Sequence, residues 1–558
     1  MSTKAHYNHD EIGKGKPGFS KTRSIIEAAF YGNNVIEVKD LKQAYDLAKN
    51  SPGTIVTDMP VYKGEDFGLD EDAKVLLFND GSVTGRCAAA RRIAGEPGVD
   101  EKDLDLKLMD AVYDTRWTTL YHAQVYIGLD PEFMVKAHLL IPEGEENILY
   151  SWMLNFQYQS EEYMKMYEKS DSIDGESDIY IFSDPQWTHK EHPLGLTYFN
   201  TEENCAALLG MKYFGEHKKG TLTIAWAIAN RHGYASCHGG QKEFQVSDSP
   251  KHHFVASFFG LSGSGKSTLT HATHGNKYKG ITVLHDDAFI INTKTGASIA
   301  MEPTYFDKTA DYPTGCPDNK FLLTAQNCSA TVDNQGKVVL VTEDIRNGNG
   351  RAIKSKLWSP NRVDKIVSPI SAIFWIMKDP TIPPLIKING SNLAAVMGAT
   401  LATKRSTAER LAPGIDPNKL VVEPYANPFR TYPLVNDYKK FRSLVKDRNV
   451  DCYILNTGDF MGKDITPSVT LNSIEQIVEG SAQLKPWGPF SNMEVLEVEG
   501  YIPDFNDEVY VNTLKARMTE RLNFIFEKDT EKDGYDALPT EAKEALAKVI
   551  SEAHNHVK

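Results

Sequence analysis

A glycine-rich segment after an apolar strand constrains the fold of this 558-residue chain more than any other feature. The run Phe254–Phe259 predicts a strand, and Gly260–Ser267 (GLSGSGKS) fits the pattern G-x-x-x-x-G-K-[ST] at every fixed position. Glycines let a backbone turn tightly and point several N–H groups at one anion. A helix predicted over Lys266–His271 would present its positive end to the same anion. The segment therefore predicts a phosphate-binding loop for a nucleoside triphosphate with a divalent metal, against the alternative of a chance glycine-rich turn.

The loop and a nearby acidic strand have distinct predicted roles. Lys266 would place its charge near the β- and γ-phosphates, and Ser267 would offer a hydroxyl to Mg²⁺. A nucleotide site of this kind also needs a carboxylate at the end of a neighbouring strand, and Asp286 and Asp287 directly follow the predicted strand Ile281–Leu284. Taken alone, such an aspartate pair is more often a solvated turn. The further residues predicted to hold the nucleotide are Ser262, Gly263, Ser264, Gly265 and Thr268.

Charge and targeting signals limit the partners. The chain has 61 Lys and Arg against 75 Asp and Glu, a formal net charge of −14, which argues against broad nucleic-acid binding. Its N-terminus lacks the apolar core of a signal peptide, and no apolar run approaches the roughly 18–20 residues of a membrane span. Its six cysteines are scattered, which disfavours a disulfide framework or a structural zinc site. We expect a cytoplasmic monomer or small homo-oligomer that acts on small molecules, with no nucleic-acid or membrane partner.

Strand-like and helical patterns alternate along the chain and predict an α/β protein with a mixed sheet in its second half. In the first half, the patterns predict strands over Val75–Phe78, His138–Ile141 and Tyr180–Phe182, and helices over Glu161–Lys169 and Glu202–Leu209. In the second half, they predict a hairpin from 288–292 and 297–301 and a strand over 338–342. We predict a polar lead-in over residues 1–22, one domain over 23–248 and a nucleotide-binding domain over 249–558.

Three further segments carry chemically active side chains. Tyr213–Gly220 holds two adjacent lysines, Ala235–Gly240 places a histidine before two glycines, and Val83–Arg86 places an arginine in a tight turn. Each has an ordinary structural explanation: a surface lysine pair, a buried histidine and a turn arginine. Together and in this order, with Asp184–Trp187 and Asn456–Gly458, they resemble the ATP-dependent phosphoenolpyruvate carboxykinases over about residues 75–530. The serine-bearing loop matches the ATP class better than the GTP class.

The resemblance implies a fold, a reaction and a set of roles. It implies a bilobal α/β enzyme with an N-terminal substrate-binding domain, a C-terminal mononucleotide-binding domain with the phosphate loop, and mixed β-sheets. The reaction would convert oxaloacetate and ATP to phosphoenolpyruvate, CO₂ and ADP, in gluconeogenesis or the reverse anaplerotic direction. The resemblance implies three Mn²⁺ ligands, Lys219, His238 and Asp287, and one Mg²⁺ ligand, Ser267. It implies that the substrate is bound by Arg86, Tyr213, Lys219 and Arg351, and the nucleotide by Glu302 and Thr470. The catalytic residues that it implies are Arg86, Lys219, Lys266, Asp286 and Arg351. A metal-bound lysine must be the neutral amine, so its pKa must be depressed. Arg346 is close enough to Arg351 to be the second substrate arginine instead.

The chain departs from the family pattern in several segments. Arg91 stands in an altered stretch after the arginine turn, and His285 replaces a glycine before the aspartate pair. Pro303 and Thr304 replace two glycines, and proline fixes φ and removes an N–H donor. Asp464 reverses a charge near the nucleotide base. Two alternatives therefore stay open: a divergent phosphoryltransferase acting on another small acid, and a nucleotide-binding regulatory protein without turnover.

Overall fold

The structure is a computed structural model. It describes residues 3–4, 7–9, 20–78, 87–157, 161–247, 253–261, 263–343, 349–405, 411, 414–416 and 419–556. The predicted site residues Arg86 and Ser262, and the alternative substrate arginine Arg346, lie outside these ranges.

Helices and strands alternate along the described chain. The helices are α1 (Lys21–Ala29), α2 (Leu41–Asn50), α3 (Glu101–Asp114), α4 (Glu146–Phe156), α5 (Glu161–Glu168), α6 (Phe214–Arg231), α7 (Lys266–His271), α8 (Ser391–Ala399), α9 (Leu434–Arg448), α10 (Pro467–Val478), α11 (Glu508–Glu527) and α12 (Thr540–His556). The strands are β1 (Val35–Glu37), β2 (Thr54–Pro60), β3 (Lys74–Phe78), β4 (Arg91–Ile93), β5 (Leu120–Asp130), β6 (Phe133–Pro142), β7 (Ile179–Asp184), β8 (Leu196–Asn200), β9 (Cys205–Leu209), β10 (Tyr234–Gln245), β11 (His253–Phe259), β12 (Gly280–His285), β13 (Ala288–Asn292), β14 (Ser298–Ala300), β15 (Tyr305–Lys308), β16 (Leu322–Gln326), β17 (Ser329–Val332), β18 (Val338–Val341), β19 (Arg351–Lys354), β20 (Lys365–Ile366), β21 (Ala372–Met377), β22 (Leu385–Ile388), β23 (Ala402–Lys404), β24 (Leu420–Val422), β25 (Asp451–Asn456), β26 (Asp459–Phe460), β27 (Lys463–Asp464), β28 (Leu484–Pro486) and β29 (Met493–Leu496).

One compact unit takes in residues 1–228, 301–360 and 407–415. It contains a mixed sheet in the order β1-β5-β6-β7-β9-β8-β4 and a second sheet in the order β15-β19-β16-β3-β2. Apolar side chains of α1 and α3, among them Ile26 and Leu108, pack with Phe182 and Tyr198 of the first sheet. This burial of apolar surface fixes the strands whose ends and connections carry the polar residues described below.

The second compact unit takes in residues 229–300, 361–406 and 416–558. Its large sheet has the order β20-β14-β13-β10-β11-β21-β25-β22-β29-β28, with β12 also paired to β10. The strand β11 that precedes the phosphate loop runs parallel to β21, which runs parallel to β25. Strand β10 is antiparallel to β11 and pairs through its first half with β13 and through its second half with β12. The α/β class with mixed sheets is thereby confirmed.

Most of the predicted elements are confirmed, and one is wrong. The strands predicted over 75–78, 138–141 and 180–182 lie within β3, β6 and β7, and the predicted hairpin is the antiparallel pair β13–β14. The helix predicted over Glu202–Leu209 is wrong, because Cys205–Leu209 forms β9, buried on both faces between β7 and β8. A short apolar run fits either element, and burial within a sheet decides for the strand.

The predicted domain limits after residues 22 and 248 stay predictions. None of the helices in the part of the chain that the structure describes combines the length and the apolar composition of a membrane span.

Candidate functional site

The phosphate loop has the backbone that its glycines predict. Strand β11 ends at Phe259, and α7 begins at Lys266. Gly263 and Gly265 have φ of 80° and 95°, in the left-handed region that favours glycine. A Cβ on Gly260 would lie 2.3 Å from Oγ of Ser264, so the start of the loop also needs glycine. The strand, loop and helix therefore follow one another as an anion-binding nest requires.

Side chains from two other segments of the same unit brace this loop. The hydroxyl of Thr457, which follows β25, donates to the carbonyl of Ser264 at 2.9 Å. Nζ of Lys378, which follows β21, donates to the carbonyl of Gly263 at 3.2 Å. The Asn456–Gly458 segment was part of the family resemblance, so Thr457 could be found from sequence. Lys378 was missed, because a lone lysine after a strand carries no signal.

Strand register brings together His238, Lys266 and Asp287. On β10, His238 pairs with Ala288 of β13 and Gln241 pairs with His285 of β12. The aspartate pair therefore lies in the connection between β12 and β13, beside His238. Oδ1 of Asp287 lies 3.0 Å from Nε2 of His238 and 3.4 Å from Nζ of Lys266. Nζ of Lys266 is also 3.3 Å from Nε2 of His238.

The geometry at His238 fits a divalent metal. Nδ1 lies 2.5 Å from the carbonyl oxygen of Ala426, which can only accept, so Nδ1 carries a proton and Nε2 is the nitrogen able to bind a metal. Two neighbouring ligands of an octahedral ion with bonds of about 2.1 Å are about 3.0 Å apart. The observed 3.0 Å between Nε2 and Oδ1 of Asp287 equals that spacing, and it is also an ordinary hydrogen-bond length.

The two aspartates of the predicted pair have different surroundings. Asp286 is buried, and its Oδ2 lies 3.5 Å from Nε2 of His271 at the end of α7. Asp287 contacts Lys266 at the start of that helix. His285, which stands where the family has glycine, accepts the main-chain N–H groups of Asp287 and Ala288 through Nδ1, at 3.1 and 3.2 Å. His285 therefore stabilises the β12–β13 connection that carries the two aspartates.

The two lysines of the Tyr213–Gly220 segment also differ. Both lie near the start of α6 in the other unit. Lys218 is fully buried, with Nζ 2.8 Å from Oε1 of the equally buried Glu302. Lys219 is partly exposed, with Nζ 5.5 Å from the ring centre of Trp226. Lys219 as a metal ligand and Glu302 as a nucleotide contact stay predictions.

Two cations of neighbouring strands lie in the first unit, and one of them is hydrogen-bonded to Tyr213. Nε of Arg351 donates to the hydroxyl of Tyr213 at 3.3 Å, and Arg351 is 4% exposed. Lys308 faces Arg351 directly across β15 and β19. Partial burial, followed by the charge of Arg351, lowers the pKa of Lys308. Like charges opposite each other are unfavourable, and the carboxylate of Asp311 interacts with both cations. A carboxylate ligand would offset the two charges further.

The remaining predicted residues lie in known surroundings. Ser267 and Thr268 are exposed in the first turn of α7, while Thr470 is buried in α10 and donates to the carbonyl of Thr466 at 3.4 Å. Their nucleotide contacts stay predictions.

The residues that depart from the family pattern have different surroundings. The hydroxyl of Thr304 donates to the carbonyl of Asn155 at 2.7 Å, and Nδ2 of Asn155 donates to Glu302 at 2.6 Å. Arg91 stacks over Phe199, 4.7 Å from its ring centre. Asp464 is exposed in a short hairpin.

Comparison with known proteins gives one family. The family model described as phosphoenolpyruvate carboxykinase matches residues 65–499. A phosphoenolpyruvate carboxykinase (ATP) from Aeropyrum pernix is 24% identical over 58% of this chain and 67% of its own length. Similar enzymes from Eremothecium gossypii and Kluyveromyces lactis are 25% and 26% identical over 36% and 41% of this chain. The chain spans 38% and 43% of the length of these last two relatives.

Proposed function

We propose, because the chain belongs to the phosphoenolpyruvate carboxykinase (ATP) family, that it converts oxaloacetate and ATP to phosphoenolpyruvate, ADP and CO₂. The observation that carries the proposal is the convergence of Lys266, His238 and Asp287 within 3.4 Å of one another at the end of the phosphate loop. A phosphate-binding cation and two metal-binding side chains at one point are what phosphoryl transfer needs.

The second unit would bind the nucleotide phosphates. The N–H groups around Gly263 and Gly265 and the positive end of α7 would hold the phosphate oxygens. When the nucleotide binds, rotation of the Lys266 side chain would move its ammonium from His238 and Asp287 to the γ-phosphate. Thr457 would keep the loop fixed during this exchange through its hydrogen bond to Ser264.

His238 and Asp287 would hold a divalent cation, which we propose is Mn²⁺, with Lys219 as the third ligand and Ser267 on nucleotide-bound Mg²⁺. When bound, these ions supply positive charge that stabilises an enolate and the transferred phosphoryl group. Ala426 would fix the tautomer and ring orientation of His238 through its carbonyl.

The first unit would bind the acid. Arg351 offers a planar set of donors that suits a carboxylate, and Tyr213 orients it through the hydrogen bond to Nε. Lys308 adds a second positive charge on the neighbouring strand. We propose that Arg86 contributes as well, as the family resemblance implies.

A coupled assay tests the reaction. Purified protein is supplied with oxaloacetate, ATP, Mg²⁺ and Mn²⁺, and phosphoenolpyruvate is measured. The matched variants are Lys266→Ala, which should abolish the product, and Lys294→Ala, an exposed turn lysine that should leave it unchanged. No phosphoenolpyruvate above the Lys266→Ala background would refute the proposal. Turnover of another dicarboxylic or hydroxy acid instead would support the divergent phosphoryltransferase, and binding of ATP without turnover would support the regulatory protein.

Metal binding is tested separately by calorimetry. Mn²⁺ is titrated into the chain and into His238→Ala, with the exposed His232→Ala as the control. The first variant should bind Mn²⁺ at least about tenfold more weakly, since even outer-shell partners of a metal have effects of that size. Equal affinity in both variants would remove His238 from the ligand set. ADP, GDP and pyrophosphate should be compared as phosphoryl partners, because Asp464 bears on the base preference.

A further inference from the structure

The connection between β7 and β8 holds a group of metal-binding side chains that the proposed function does not use. Among the described residues, the donor atoms of His189, Glu191 and His192 all lie within 4.8 Å of one another. All three follow Trp187 in the first unit, in the sequence Trp-Thr-His-Lys-Glu-His. Two imidazoles and a carboxylate are a ligand set that suits zinc.

Local contacts orient the group. The ring of His189 stacks on that of Trp187, with centres 5.5 Å apart and planes 7° apart. Nδ1 of His189 accepts the main-chain N–H of Glu191 at 3.2 Å, so Nε2 is the nitrogen that a metal would take. The main-chain N–H of His192 donates to the carbonyl of His189 at 3.0 Å, and that of Gly195 to His192 at 2.9 Å. Two successive turns thus hold the three side chains on one short loop.

A lysine now holds the carboxylate of this group. Nζ of Lys107, on α3, lies 3.1 Å from Oε2 of Glu191, and it also contacts Asp103. The ammonium of Lys107 already lies beside the Glu191 carboxylate, and a divalent ion would displace it.

We propose that His189, Glu191 and His192 bind one Zn²⁺ ion, with water as the fourth ligand. Tetrahedral zinc with bonds of about 2.0–2.1 Å places its ligands about 3.3 Å apart, so the donor atoms must close by roughly 1.5 Å. Rotation of partly exposed side chains can provide this movement. The ion would clip the β7–β8 connection, and its binding does not depend on the nucleotide or the acid.

Calorimetry with Zn²⁺ tests the site. The titration is done in the His238→Ala variant, so that the centre beside the phosphate loop contributes less. Adding His189→Ala and His192→Ala should remove one equivalent of Zn²⁺ binding, whereas adding His232→Ala and His554→Ala, two exposed histidines elsewhere, should not. Circular dichroism checks that each variant is folded. An unchanged number of sites after the first pair of substitutions would overturn the proposal.

Two further variants give readouts that a merely structural loop would not. Cu²⁺, which prefers the same ligands and quenches nearby indoles, should quench fluorescence in the parent but much less in Trp187→Phe. Lys107→Met should tighten Zn²⁺ binding, because the competing cation on Glu191 is gone. Mg²⁺ should not bind here, because it prefers oxygen ligands. Weaker Zn²⁺ binding in Lys107→Met, or equal quenching in Trp187→Phe, would contradict the assignment.

Discussion

Replacing Lys218 by methionine should destabilise the protein far more than the same change at Lys219. Lys218 and Glu302 are both 0% exposed, and their charged atoms are 2.8 Å apart. Methionine keeps the length of the stem and removes the ammonium. The buried Glu302 carboxylate then keeps its hydrogen bond from Asn155 but loses its ion-pair partner. Breaking a buried ion pair in this way costs about 3–5 kcal/mol. We expect Lys218→Met to lower the free energy of unfolding by that amount.

The neighbouring lysine supplies the matched control. Lys219 is partly exposed and contacts the ring of Trp226, an interaction worth about 0.5–1 kcal/mol at exposed sites. Lys219→Met should therefore change stability by no more than about 1 kcal/mol, while it abolishes phosphoenolpyruvate formation if Lys219 is a metal ligand. Lys218→Met would thus lower stability strongly. Lys219→Met would change stability little but would abolish activity if Lys219 is a metal ligand.

Urea unfolding followed by circular dichroism measures the first effect, and the coupled assay measures the second. The double variant Lys218→Met/Glu302→Gln should recover much of the lost stability, because no charge stays buried without its partner. Equal unfolding midpoints for Lys218→Met and Lys219→Met would refute the argument that burial separates the two lysines. Failure of the double variant to recover would show that packing, and not charge, is what Lys218 contributes.

Two further predictions follow from single contacts. Burial, followed by the charge of the neighbouring His138, lowers the pKa of His122 to about 4, although Glu37 opposes the shift. Between pH 6.5 and 4 the unfolded chain therefore binds more protons than the folded chain. The free energy of unfolding should fall by about 3 kcal/mol as the pH drops through that range. His122→Leu should flatten this fall in urea titrations at several pH values, and an unaltered slope would show that His122 is not its source. A Cβ on Gly240 would lie 1.9 Å from Oγ1 of Thr270 on α7, so Gly240→Ala should displace the helix and weaken ATP binding measured by calorimetry. Gly240→Ala/Thr270→Ala should restore it, and full ATP affinity in Gly240→Ala alone would contradict the close approach.

The amino-acid sequence alone determined the local part of the nucleotide site. The strand, glycine loop and helix around Lys266 follow from residue types at fixed spacing, because left-handed φ at Gly263 and Gly265 and a helix start are local properties. The family motifs pointed to His238 and Asp287 as metal ligands. Sequence could not decide the element over Cys205–Leu209, because a short apolar run becomes a strand only when sheet neighbours bury it on both sides.

The tertiary structure decided how equivalent-looking residues differ. The register of β10 with β12 and β13 brings His238 to Asp287, and the carbonyl of Ala426 selects the metal-binding nitrogen. Lys218 and Lys219 are adjacent in sequence, yet only the path of α6 past Glu302 makes one a buried ion-pair partner. These outcomes depend on residues far apart along the chain, and the energy of a charge or a hydrogen bond depends on what surrounds it after folding.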